Sequence, residues 1–278
     1  FGKELPEFSI FDTVLLSSRI TPPTGFRWNT NDLAMCMIIV LPFFLCNKKI
    51  LIKLFGIISI TTIVAVTASR AVFLALILVY ILYLFLIKKR IGTLLLVWIV
   101  SFSIAIGINQ FKESDNLRLN EIANSIDALG LYISGDIDIG GSIEWRRELI
   151  KNGMNAFYET KGFGLGAGGS VANQEIIGPV AGRFTSMHNF WIELLVEGGI
   201  FVAITISFWM LSIIYKLFII SRTSKNQNLK YYSQSLFLSV IAFIPAAISA
   251  SSTIYFFPMW IMFGFAISVI ILSKTYAN

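Results

Sequence analysis

The chain carries a single histidine, His188, in the segment TSMHNFWIELLVEGG. A general base must be a neutral imidazole, and the positive end of a helix dipole favours that form by opposing protonation. Thr185 or Ser186 can cap a helix, which predicts His188 in a first helical turn. Glu193 and Glu197 follow one turn apart, a polar stripe beside Trp191, Leu194 and Leu195. The alternative for a lone histidine is a packed interfacial residue.

Arginine supplies the complementary chemistry, because its planar fork gives bidentate hydrogen bonds to pyrophosphate and keeps its charge. Arg70 lies in TASRAV between two apolar stretches, so it ends a tight helical hairpin. It is either an anion clamp or an interfacial anchor, and deep placement would cost about 2.5–3.5 kcal/mol. Arg146 and Arg147 open EWRRELIKNGMNAFYE, where Trp145, Leu149, Ile150, Met154 and Phe157 recur at helical spacing. One face of that helix can pack on a membrane part, and the arginines are either a site or a solvated face.

In the run GFGLGAGG, Gly164 and Gly166 either turn backbone amides toward a phosphate or act as a hinge. No buried strand precedes the run, so it is not a dinucleotide fingerprint. Asp136 and Asp138 form an Asp-Ile-Asp triplet without a further oxygen ligand in its flanks, and no metal or other cofactor is expected. Cys36 and Cys46 read as core residues, since no histidine or third cysteine stands near them.

The elements that must position these groups are membrane helices. At 56% hydrophobic, 14% charged and a mean hydropathy of +0.76, a soluble domain is excluded. Apolar runs give seven candidate spans, at 33–47, 50–68, 71–87, 92–109, 196–220, 233–251 and 254–273. The net charge of +6 resides in short loops and forms no nucleic-acid surface. Those loops carry Lys48, Lys49 and Lys53, then Lys88, Lys89 and Arg90, then Lys216, Arg222, Lys225 and Lys230. The positive-inside rule places all three in the cytoplasm together with the C-terminus.

The expected fold is an all-α polytopic membrane protein of about seven transmembrane helices with one large extracytoplasmic loop. It divides into an outer segment 1–32, a four-span bundle 33–109, an outer loop subdomain 110–187, and an interfacial helix with a three-span bundle at 188–278. Arg70, Arg146 and His188 then share the outer side, a site suited to group transfer from a lipid-linked pyrophosphate.

At this point the sequence resembles the O-antigen ligase/polymerase family, the Wzy/WaaL-type integral membrane glycosyltransferases. The likeness rests on GFRWNTNDLA from Gly25 to Ala34, on Ser69-Arg70, on the Arg146 helix leading into Gly162-Phe-Gly-Leu-Gly, and on HNFWIELLVEGG from His188. It implies a GT-C-like, metal-independent, inverting transferase of the bacterial cytoplasmic membrane, acting on undecaprenyl-diphosphate-linked glycans. His188 would deprotonate the acceptor hydroxyl while Arg70 and Arg146 hold the departing pyrophosphate. Arg147, Gly164, Gly166, Asn189 and Glu197 would contact substrate. The implied partners are a lipid-linked oligosaccharide donor, a glycan acceptor, membrane lipid and other components of polysaccharide export, with no nucleic acid. The family usually has more spans before the GFRWNTNDLA-like segment. With no methionine at Phe1, the chain is therefore expected to be truncated or partial.

Four functions compete on this reading: a polymerase of surface-polysaccharide repeat units, a ligase passing glycan to an acceptor such as lipid A-core, a transporter of lipid-linked sugars, and a non-catalytic membrane partner. Richness in Lys, Ile and Asn suggests an AT-rich genome and favours the polymerase. A transporter should line a path across the bilayer with polar groups, whereas span 71–87 has no ionisable head group other than tyrosine.

Overall fold

The computed structural model describes residues 30–67, 69–88, 142–178, 180, 185–249 and 256–275. The expected span at 92–109, Asp136, Asp138 and residues 25–29 of the GFRWNTNDLA segment lie outside the described residues. Within them the chain is helical and has no strand element. The helices are α1 (Thr30–Leu45), α2 (Ile50–Thr67), α3 (Arg70–Leu82, continued by a π-helical turn Tyr83–Lys88), α4 (Ser142–Glu159), α5 (Gly169–Ile177), α6 (Phe190–Thr223), α7 (Gln227–Ala246) and α8 (Phe257–Thr275).

Among the described residues four segments are long and apolar enough to cross a membrane: Ile50–Thr67, Arg70–Ile87, Phe190–Thr223 and Phe257–Thr275. An 18-residue helix is about 27 Å long, close to the hydrocarbon thickness. Their outward faces carry Leu51, Phe55, Ile58, Phe201, Phe208 and Ile271, all exposed. Such a surface is stable only in lipid, so the chain is an integral membrane protein.

Helix α7 is less apolar than these four yet sits at the centre, packed against α1, α3, α6 and α8. Its polar residues face protein instead of lipid. Ser233, Ser235 and Ser239 are fully buried. Ser239 donates to the Ile39 carbonyl at 2.6 Å, and Tyr231 donates to the Phe43 carbonyl at 2.7 Å. Both acceptors lie on α1 near Pro42, and each carbonyl has a second lone pair to offer a side chain across the interface. Hydroxyl bonds and small residues, not apolar burial alone, join helices where lipid surrounds them. Cys36 and Cys46 pack against this main core.

A second, smaller core holds the amphipathic helix. Leu149 and Phe157 of α4 meet Val180, Met187 and Val196. The face expected from the sequence is the buried one, and it packs on the first arm of α6.

Candidate active site

Helix α6 begins at Phe190, and Asn189 is its cap: the Asn189 Oδ1 accepts from the Trp191 N–H at 3.1 Å and from the Ile192 N–H at 3.3 Å. Ser186 instead accepts the His188 N–H through its hydroxyl at 3.4 Å. The expectation of His188 within the first turn is corrected, since the residue stands just before the cap. Asparagine caps as well as serine does, so the signal was present in the sequence. Asn189, expected to contact substrate, has its oxygen engaged in this cap.

The His188 backbone is left-handed, with φ 49°. Non-glycine residues seldom adopt that region, and such outliers gather at functional sites. The turn buries Met187 in the small core and leaves the imidazole half-buried. Burial, and after it the positive charge of Arg146, hold the His188 pKa below its usual 6.5. The expected neutral imidazole is present in direction, but desolvation and a neighbouring cation produce it.

Arg146 is half-buried while Arg147, next to it, is exposed. Burial, followed by the charge of Arg70, lowers the Arg146 pKa, though a guanidinium keeps its proton. Arg146 from α4 is thus within electrostatic reach of Arg70 from α3 and of His188 before the α6 cap.

The C-terminal end of α7 is the post that joins two of these elements. The Phe190 N–H donates to the Ala247 carbonyl at 3.0 Å, and the Trp191 Nε1–H donates to the Ile244 carbonyl at 2.9 Å. The Ser249 hydroxyl meets the hydroxyl of Ser69, the residue before Arg70, at 3.2 Å. Phe190 is wedged edge-on against Phe243 of α7, ring centroids 5.6 Å apart. Sequence reading passed over Ser69, Ser249 and Phe190 in this role, because nothing local pairs residues 180 positions apart.

The glycine run has a different task from the cradle considered for it. Helix α6 breaks at Gly199, with φ 74° and ψ 176°. The break frees backbone groups that the run satisfies: Leu165 N–H donates to Val196 O at 2.9 Å, Gly166 N–H to Glu197 O at 3.0 Å, and Ile200 N–H to Gly162 O at 3.0 Å. Gly164, with φ 86°, passes so close that a Cβ would stand 2.5 Å from the Glu197 carbonyl oxygen and the Gly199 nitrogen. The Gly164 N–H itself donates to the Thr160 hydroxyl at 3.2 Å. Both the Gly164 and the Gly166 amide are thus engaged within the protein, and the run is pinned against the broken helix. Glu197, expected at the substrate, anchors the same loop. Its carboxylate accepts from the Gly168 N–H at 3.0 Å, the Ser170 N–H at 3.3 Å and the Ser170 hydroxyl at 2.5 Å. The Gly198-Gly199 pair was the legible sign of the break.

Among the described residues no cluster of three or more His, Cys, Asp or Glu side chains could hold a metal ion. The group that does assemble comprises two guanidiniums and one imidazole, an arrangement fitted to receive an anion beside a base.

A family model described as O-antigen ligase matches residues 54–207, which include Arg70, Arg146 and His188. The chain is also 23% identical over 259 residues to the teichuronic acid biosynthesis protein TuaE of Bacillus subtilis (strain 168). That alignment covers 89% of this chain and 52% of the relative, so the chain spans about half the length of the curated protein it matches.

Proposed function

The chain belongs to the O-antigen ligase family, and from that premise we propose that it is a polymerase joining undecaprenyl-diphosphate-linked repeat units of a surface polysaccharide. The similarity to a protein named for teichuronic acid biosynthesis supports a wall or capsule polymer as the product class. The observation that carries the reading is the electrostatic coupling of Arg70 to Arg146 and of Arg146 to His188. Two cations that destabilise each other are relieved by a bound diphosphate, so substrate binding and charge neutralisation coincide.

In the proposed reaction neutral His188 removes the proton from an acceptor hydroxyl. The oxygen attacks the anomeric carbon of the donor from the face opposite the diphosphate. The bond from that carbon to the diphosphate oxygen breaks, its electron pair leaves with the diphosphate, and the configuration inverts. Negative charge grows on the leaving group as the bond opens, and Arg70 and Arg146 are fixed where it grows. No metal is needed for that stabilisation. Arg147, exposed beside Arg146, is free of the burial that fixes its neighbour and would contact the outer part of a substrate.

The positive-inside reading of the basic loops supports a seven-span chain of the bacterial cytoplasmic membrane, with this site outside and the C-terminus in the cytoplasm.

Extension of lipid-linked repeat units by purified protein, read as a ladder on a gel, tests the proposal. Wild type should extend the glycan and His188→Ala should not; equal extension by both sinks the role of His188. The family description favours one second reading, a ligase. Failure to extend repeat units together with modification of a lipid A-core acceptor would replace polymerase by ligase.

A further inference from the structure

Phe163 is 72% exposed, yet the backbone that carries it is held on every side. The N–H groups of Thr160, Lys161, Gly162 and Phe163 donate back to the carbonyls of Ala156, Tyr158, Phe157 and Thr160, which closes the end of α4 with Lys161 and Gly162 left-handed. Both flanks are tied to the break in α6, through Ile200 N–H to Gly162 O at 3.0 Å and Leu165 N–H to Val196 O at 2.9 Å. The Phe163 carbonyl lies against Gly199 so closely that a Cβ there would press on it. The ring is therefore presented by a fixed backbone.

The second arm of α6 shows what it is presented to. Phe201, Ile204, Phe208, Leu211 and Tyr215 recur every three or four residues and all are exposed, so they form one stripe turned to lipid. Phe201 begins the stripe, and the Phe163 ring lies tilted against it, centroids 6.3 Å apart. Tyr158, edge-on to Phe157 at 5.7 Å, and Lys161 are exposed in the same turn. Phenols and long-stemmed ammonium groups settle at the boundary of a bilayer, where an apolar body and a polar tip are both satisfied. We infer that residues 158–163 are a membrane-interface anchor, with Phe163 in the acyl region beside Phe201 and with Tyr158 and Lys161 among the head groups.

Continuity with the lipid-facing stripe argues for the bilayer itself as the occupant. Glu159 and Lys161, both exposed, cancel in charge, so the anchor works by burying aromatic surface and needs no anionic lipid. The segment that ends α4 and pins the broken helix is then moored to the membrane, which fixes the level of the Gly199 break. None of this depends on which transfer the chain performs.

The test is a nitroxide label read by power-saturation electron paramagnetic resonance, with oxygen as the apolar relaxant and a nickel chelate as the aqueous one. The full chain carrying Cys36→Ala and Cys46→Ala is labelled at Phe163→Cys, Tyr158→Cys, Phe208→Cys or Lys225→Cys and reconstituted in phosphatidylcholine bilayers. Phe208 is the lipid reference, and Lys225, exposed in the turn between α6 and α7, is the aqueous one. The oxygen-to-nickel ratio at 163 should exceed that at 225 several-fold and approach that at 208, while the ratio at 158 falls between the two references. Added phosphatidylglycerol should change neither. A water-like ratio at 163, exclusion of both relaxants by a protein partner or a second copy, or lipid contact that appears only with phosphatidylglycerol overturns the anchor. Should Phe163→Cys not fold, Tyr158→Cys decides, and a ratio there equal to that at 225 has the same meaning.

Discussion

The charge of Arg146, carried on α4, acts on the imidazole of His188, which precedes α6. The two residues are 42 positions apart in sequence and meet because Leu149, Met187 and Val196 share the small core beneath them. The consequence is a pH dependence whose sign is fixed. A base works when neutral, and a depressed pKa keeps His188 neutral further into acid. The acid limb of kcat/KM should therefore lie below pH 6.5. Since His188 is the only histidine, ring-labelled histidine gives one NMR resonance to titrate. In Arg146→Gln its pKa should rise toward 6.5 without reaching it, because burial, the larger cause, persists. An unmoved pKa would mean that Arg146 does not act on the imidazole.

The adjacent arginines should separate cleanly. Arg146→Met should lower kcat by about 10²–10³, the usual cost of losing one fixed donor to developing charge. Arg147→Met should stay within a few-fold, since an exposed side chain adds little fixed potential. Comparable losses at the two positions, measured by chain extension, would remove the distinction drawn from burial.

Gly164→Ala and Gly166→Ala offer a contrast that a phosphate cradle would not produce. Both glycines have positive φ, so each alanine meets left-handed strain of about 1–2 kcal/mol. Only at Gly164 would the new Cβ also press on the backbone of Glu197 and Gly199, while around Gly166 nothing lies within 4 Å. Thermal unfolding in detergent should show Gly164→Ala clearly the less stable. Equal midpoints would argue against the interlock.

Asn189→Ala should destabilise the start of α6 by about 1 kcal/mol, and Asn189→Ser should recover most of it. Amide exchange at Trp191 and Ile192 is the direct readout, because their N–H groups are the ones capped. Faster exchange confined to residues beyond Gly199 would contradict the cap.

A double-mutant cycle on Ser69→Ala and Ser249→Ala should give a coupling of about 0.6 kcal/mol, typical of hydroxyl bonds between membrane helices. It should also appear in kcat, because the bond fixes the helix that starts with Arg70. Strict additivity in both measurements would deny that the end of α7 positions Arg70.

Much of this protein was written along the chain. Apolar runs marked the membrane helices. The spacing of Trp145, Leu149, Met154 and Phe157 marked α4, because burial of one face imposes a 3.6-residue period on the residues that line it. The types of His188, Arg70 and Arg146 offered a candidate base and candidate anion contacts. What tertiary structure decided was everything set by contacts between distant segments. It made α7, one of the less apolar helices, the central one, since the Ser239 hydroxyl could find the Ile39 carbonyl only once α1 lay beside it. It half-buried Arg146 and left the identical side chain of Arg147 exposed. It turned Glu197 and the glycine run from substrate contacts into the lock on a broken helix, and so left His188 tuned by its neighbours' charge and burial. Sequence fixes which groups can carry charge, donate or accept; which of them are desolvated and brought together depends on packing, and packing is not a local property.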